Sequence, residues 1–317
     1  MTLLGTRPRG RRAHLALVSA DDAVSAKAEN KSRFPVNIIS CWGPAGSPGK
    51  STIASNLACE MALLGQRVLL VDLDTLSPAL AITLGLVDTP AGLSACLRLA
   101  EQSRLTVEEY ERLTVSVQLG RNELRFMPGL NSPNRWPEVT IERLEQLLDC
   151  IESEVDQVVL DLPQATQFRT NLNHPSAMNQ TIDLGRDQLL VNLLRQSSKL
   201  VMVSGCDPVS AHRFLAAQEY LEESGSSLNP YTVINRFRTS ALGSKAKAEL
   251  EETYLTLAKI RIDAYIPDEP ENLDRALLNG LPLALLKRSS PARQAISDLA
   301  RQLLLDSTSG DALAKLS

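Results

Sequence analysis

This sequence is poor in the groups that most metal and redox sites need. Its three histidines, His14, His174 and His212, lie far apart, and its five cysteines, Cys41, Cys59, Cys96, Cys150 and Cys206, form no Cys-x-x-Cys pair. That spacing argues against a zinc site built on imidazole or thiolate and gives no disulfide framework. Most of the cysteines lie inside apolar runs, as reduced thiols acting as small buried hydrophobes do, so a reducing cytoplasm is the expected setting. A strong charge of one sign is also missing. The net charge is -4 with 22% charged residues, so no overall field draws the chain to nucleic acid or anionic lipid. No apolar run has the length of a membrane span. The short run Leu15–Val18, behind Arg7, Arg9, Arg11 and Arg12, is too brief for a secretory h-region.

What is present is ordinary for an enzyme-like protein: 317 residues, 44% of them hydrophobic, enough for one large α/β domain or two average ones. Residues 1–33 are basic, then polar and alanine-rich without periodicity, and read as a flexible arm. A packed domain is expected over 34–305 and a tail over 306–317. Within the domain, short β-branched or leucine-rich runs alternate with helical patterns. Val36–Trp42, Arg67–Asp72, Glu123–Met127, Gln157–Leu162, Lys199–Ser204, Tyr231–Asn235 and Ala264–Ile266 read as strands, several apolar at nearly every position. Ser51–Leu64, Ile141–Ile151, Val209–Leu221, Ser244–Leu257, Glu271–Leu278 and Ala292–Leu304 read as helices. This alternation predicts an α/β fold: a doubly wound, mostly parallel sheet of about seven strands, helices on both faces, and ligands at the carboxyl ends of the strands. The stretch Pro163–Arg186 is polar and broken. It reads as a long loop, either a surface insertion or a partner-binding or switch segment.

The sharpest chemical signal is Gly43-Pro44-Ala45-Gly46-Ser47-Pro48-Gly49-Lys50-Ser51-Thr52, set between a strand and a helix. Small residues let backbone N–H groups close around phosphate oxygens, the following helix points its positive end at them, and Lys50 adds a full charge. The Ser51 hydroxyl suits Mg²⁺. The strict pattern GxxxxGK[ST] would have glycine where Pro44 stands. Three carboxylates at strand ends extend the site. Asp161, in Leu-Asp-Leu-Pro, has the position of a Walker B residue, while Asp72 and Asp74 close the strand after the first helix. Acidic strand ends also serve as helix N-caps, so neither reading of them is closed.

The motifs Pro44–Ser51, Val71-Asp72-Leu73-Asp74, Leu160-Asp161-Leu162-Pro163, Val233-Ile234-Asn235-Arg236 and Ile266-Pro267-Asp268 together resemble the ParA/MinD family of deviant Walker ATPases, in family order, from about Val36 to Leu304. The loop and the segment Asn131-Ser132-Pro133-Asn134-Arg135-Trp136-Pro137 are most similar to an actinobacterial CpaE/TadZ-like, septum-site-determining branch. The resemblance implies ATP and Mg²⁺ as ligands, an ATP-promoted homodimer, and a cycle that positions a partner at a pole, septum, pilus machine or chromosome. It implies catalytic roles for Lys50, Asp74 and Asp161, with Asp74 orienting the attacking water. Ser51, Asp72 and Asp161 would serve the metal, and Asn235, Arg236, Pro267 and Asp268 would surround the adenine. The sequence departs from the family loop at Ala45, which stands in place of the lysine that reaches across the dimer, and at Ser47. Pro48 removes an amide donor, a loss on the order of 1.5–3 kcal/mol if it held a phosphate. Arg169 and Arg135 are candidates to restore the charge.

Other functions remain open at this point. Ala45 and Pro48 suit a non-enzymatic scaffold of the same fold. The basic residues Arg236, Arg238, Lys245, Lys247, Lys259 and Arg261 suit phosphate contacts to DNA, although the net charge favours a solvated face. Ile296, Leu299 and Leu303 form a stripe on the last helix. Asp306 and Asp311 behind it make a sheet-packing face more fitting than a membrane anchor.

Overall fold

Asn37 to Asp72 lays down the pattern of the whole domain: strand, phosphate-loop position, helix, strand. The computed structural model describes residues 34–46, 48–86, 88–165, 177–226, 228–241 and 245–314. The arm 1–33, Ser47 and Arg169 lie outside the described residues. Strand β1 (Asn37–Trp42) leads to helix α1 (Lys50–Leu63) and β2 (Val68–Asp72). Three helices follow, α2 (Leu80–Thr83), α3 (Gly92–Glu101) and α4 (Val107–Leu113), and then a hairpin of β3 (Val115–Leu119) and β4 (Asn122–Met127). Next come α5 (Ile141–Cys150), β5 (Gln157–Asp161), α6 (Ala177–Gln196), β6 (Lys199–Gly205), α7 (Pro208–Glu223) and β7 (Tyr231–Phe237). The chain ends with α8 (Ala246–Ala258), β8 (Ile262–Pro267), α9 (Pro270–Asn279), α10 (Leu283–Leu286) and α11 (Pro291–Ala314).

The strands form one sheet in the order β3-β4-β2-β5-β1-β6-β7-β8, parallel except for β3, which runs antiparallel to β4. The expected doubly wound α/β fold is therefore present, with eight strands in place of about seven. The additional strand is β3, an edge strand whose half-exposed Val-Ser-Val-Gln alternation lacks the continuous apolar run of its buried neighbours.

Alternation of side chains divides the core between the two faces of the sheet. Ile38, Leu69, Val71, Val158, Leu160, Leu200 and Met202 join one apolar layer with α3, α5, α6 and α7, whereas Ile39, Leu70, Val159, Val201 and Val203 join a second with α1 and α11. Ile296, Leu299 and Leu303 are buried in that second layer, so the stripe on the last helix packs on the sheet. The helix continues past Leu304 to Ala314. Among the described residues no helix is long and apolar enough to cross a membrane.

One expectation fails here. Within the stretch 163–186, which reads as a loop, residues from Ala177 onward are helical as the first half of α6; residues 166–176 lie outside the described residues. Among the residues whose burial is described, Leu189, Leu190, Leu193 and Leu194 bury this helix, while Asn179, Gln180, Thr181 and Asp183 make the sequence of its first half polar. Its middle is fastened by the Asn131–Pro137 segment: Trp136 lies against Gly185, beneath the Arg186 guanidinium at 5.8 Å, and Arg186 donates to the Pro133 carbonyl at 2.6 Å.

Polar contacts tie α1 to the C-terminal helices. Arg293 on α11 donates to the buried Glu60 carboxylate on α1 at 2.6 Å, and the Asn56 side chain accepts from the Leu283 amide at 2.9 Å. Removing one partner of a buried pair strands the other charge. Arg293→Ala should therefore lower stability by about 3 kcal/mol in urea unfolding, and adding Glu60→Leu should recover most of the loss.

Candidate nucleotide site

The phosphate-loop segment leaves the carboxyl end of β1, which lies between β5 and β6 at the middle of the sheet. Gly49 closes it in the left-handed region, at φ +93°, and is the N-cap residue of α1. Lacking a side chain, it offers no cap. The first-turn amides have no partner within the helix, no side chain among the described residues caps them, and the first turn itself holds no acidic residue. A helix start left this way is an anion site in need of an anion. Glycine is required here for a second reason: a methyl group on Gly49 would lie 2.2 Å from Asn235 Nδ2. That amide nitrogen donates to the Pro48 carbonyl at 2.8 Å, so β7 holds the loop from below.

Opposite the helix start stand three carboxylates. Asp161 ends β5, in register with Cys41 of β1 and Asp72 of β2. It is 1% exposed, and neither carboxylate oxygen has a hydrogen-bond partner of ordinary geometry. Burial pushes its pKa up to about 8, Asp72 and Asp74 add to the rise, and the Ser51 hydroxyl and Lys50 oppose it. A buried, unpartnered carboxylate beside a serine hydroxyl fits a hard divalent cation with oxygen ligands. Lys50 shares the same field: burial lowers its pKa, while Asp161 and Asp74 hold it up.

Asp72 and Asp74 differ in what their carboxylates hold. Both oxygens of Asp72 are engaged, Oδ1 by the Asp74 amide at 3.3 Å and Oδ2 by the Leu80 amide at 3.0 Å. Asp72 thus organises the turn that follows β2, and burial raises its pKa to about 6. Asp74 Oδ1 accepts from the Leu76 and Ser77 amides, each at 2.9 Å, and the residue is half-buried.

The remaining expected residues gather at the ends of β7 and β8. Arg236 is exposed at φ +53°, and its carbonyl accepts from the Cys206 thiol. The Asp268 amide donates to the Phe237 carbonyl at 3.0 Å, and its carboxylate pairs with Arg238 at 3.4 Å, directly after Pro267. Asn235 connects this rim to the phosphate loop. Of the arginine candidates, Arg135 is bound locally, to Glu138 at 2.6 and 2.8 Å and to Asn131 at 3.1 Å. The basic residues proposed for DNA are exposed, with Arg238 neutralised by Asp268 and Lys247 4.0 Å from Glu251. One residue at the loop escapes sequence reasoning altogether. Arg213 of α7 lies against Gly46, a contact made only in three dimensions and marked by no motif.

Comparison with known proteins agrees with this geometry. Residues 39–283 match the CobQ/CobB/MinD/ParA nucleotide binding domain. The chain is 24% identical over 264 residues to an uncharacterized ATP-binding protein of Methanocaldococcus jannaschii, covering 82% of this chain and 84% of the relative. It is 22% identical over 277 residues to the sporulation initiation inhibitor protein Soj of Bacillus subtilis, covering 84% and 97%. The septum site-determining protein MinD of Pyrococcus horikoshii, solved in complex with Mg-ADP, has a similar fold, with a TM-score of 0.58 at 20% identity over 84% of this chain and 96% of that one. An uncapped helix start beside a buried strand-end carboxylate, within a matched region that covers most of the sequence, makes this chain a member of the CobQ/CobB/MinD/ParA nucleotide-binding family.

Proposed function

We propose that this chain is an ATP-binding, slowly hydrolysing switch of the ParA/MinD type that positions a cellular machine. The observation that carries the reading is the buried Asp161 carboxylate, without a hydrogen-bond partner, facing Lys50 and Ser51 at the uncapped start of α1. The ATP-binding relative and the Mg-ADP complex of a similar fold support it.

In this reading the amides of the segment Gly43–Thr52 bind the phosphates, with Pro44 and Pro48 shaping the loop without donating, and Lys50 adds its charge. Bound Mg²⁺, held by Ser51 and Asp161, would neutralise phosphate charge. Asp72 supports the turn that carries Asp74, and Asp74 orients the attacking water. Asn235, Arg236, Pro267 and Asp268 enclose the adenine. ATP promotes a homodimer, hydrolysis ends it, and the partner is a protein of a polar, septal or pilus complex, with any membrane contact indirect. The protein works in the cytoplasm and is recruited to a pole or septum. In this reading the protein belongs near the CpaE/TadZ-like branch, a likeness carried by the loop and the Asn131–Pro137 segment. Ala45 and Pro48, which remove a charge and a donor, make turnover slow.

Two experiments follow. Steady-state hydrolysis with Mg²⁺, run beside light-scattering mass measurement with ADP, ATP and a slowly hydrolysed analogue, should show low turnover and a dimer with ATP. Lys50→Ala should abolish both, and Asp74→Ala should stop hydrolysis while retaining the dimer. Turnover unchanged in Lys50→Ala would remove the enzyme from the account.

The second concerns Asp161. Its folded pKa of about 8 lies above that of an ordinary aspartate, so the folded chain keeps a proton that the unfolded chain loses. The group therefore costs stability increasingly as pH rises from about 4 through about 8 in the metal-free protein. Asp161→Asn should raise the thermal midpoint in chelator above about pH 8, leave it nearly unchanged near pH 4, and remove the gain in stability that Mg²⁺ and nucleotide confer on the parent.

A further inference from the structure

The pocket is short of positive charge. Between Gly43 and Gly49 the sequence has no lysine or arginine. Lys50 faces Asp161 and Asp74, both of which interact with it. A triphosphate entering this pocket meets one lysine and three carboxylates before any metal arrives, which is too little attraction for a ligand of such charge.

Arg213 lies where a further cation would be needed. A methyl group built on Gly46, the residue after Ala45, would lie 2.2 Å from Arg213 Nη1, 3.4 Å from its Cζ and 4.0 Å from its Cδ. The guanidinium thus lies across the bare backbone of the loop at Gly46. Its side chain is exposed, and it makes no hydrogen bond or ion pair with another described residue. Its donors are therefore not committed to another described residue and are available to a phosphate oxygen at the loop.

The helix that carries it is fixed. Asp207 caps α7 through the Val209 and Ser210 amides at 3.0 Å each, and Ala211, Phe214 and Ala217 bury its inner face. Because α7 follows β6, the strand beside β1, the guanidinium reaches the loop from the same chain.

We propose that Arg213 supplies, in cis, the phosphate-neutralising cation missing at Ala45, so that triphosphate binding does not depend on a second subunit. This rests on the reading of Gly43–Thr52 as an ATP site. A guanidinium presents several fixed donors to phosphate oxygens, and one charge-assisted contact is worth a factor of about ten or more in affinity. Dimer formation then follows ATP binding instead of completing it.

The test measures the affinities of the full chain for ATP and ADP with Mg²⁺, at several protein concentrations, for the parent, Arg213→Ala, Arg213→Lys, Arg213→Ala with Ala45→Lys, and Lys50→Ala. The expected results are an ATP affinity independent of parent protein concentration and a loss of about tenfold for ATP, with a smaller loss for ADP, in Arg213→Ala. Arg213→Lys should keep part of the affinity, and Ala45→Lys should return it. The nucleotide-free unfolding midpoint should not move. Parent-like ATP affinity in Arg213→Ala, or equal losses for ATP and ADP with a lowered unfolding midpoint, would overturn the proposal, while lost binding in Lys50→Ala would leave the ATP site itself standing. A parent that binds neither nucleotide would overturn both.

Discussion

Everything in the site depends on one juxtaposition: a helix start with no cap, set against a buried carboxylate with no hydrogen-bond partner. Each is costly alone. The first-turn amides of α1 have no side-chain cap, and the oxygens of Asp161 are polar groups withheld from water. In the proposed reading they complement each other through a ligand that is an anion on one side and carries a cation on the other. The fold accepts the cost because β1, β2 and β5 are fastened by continuous parallel ladders that hold Asp72 and Asp161 side by side.

The apolar layers explain how such a polar arrangement stays in place. Side chains alternate so strictly along β1, β2, β5 and β6 that a slip of one residue would exchange the two layers, which fixes the register and so the heights of the strand ends. Charged and polar ties then lock α1 from behind, through Arg293 with Glu60 and Asn56 with the Leu283 amide. Asn235 performs the same service in front by holding the Pro48 carbonyl. The end of the loop at Pro48 and Gly49 is thereby held against β7.

Legibility followed the range of the interactions. The buried strands announce themselves by unbroken apolar runs, and the phosphate loop by residues adjacent in sequence. The edge strand β3, half exposed, and the first half of α6, whose sequence is rich in polar residues, carry no such unbroken apolar run. Within the site, Lys50, Ser51, Asp74 and Asp161 are readable from spacing and context. The engagement of both Asp72 oxygens by the Asp74 and Leu80 amides, the Asn235 bond to Pro48, and the contact of Arg213 with Gly46 arise only when distant segments meet.

The central claim is that the backbone of this loop receives a triphosphate. Hydrogen–deuterium exchange resolved over the segment 45–53, with and without Mg-ATP, tests it most directly. The account predicts strong, saturable protection confined to that segment and to the ends of β5 and β7, whereas exchange rates unchanged by saturating Mg-ATP would contradict it.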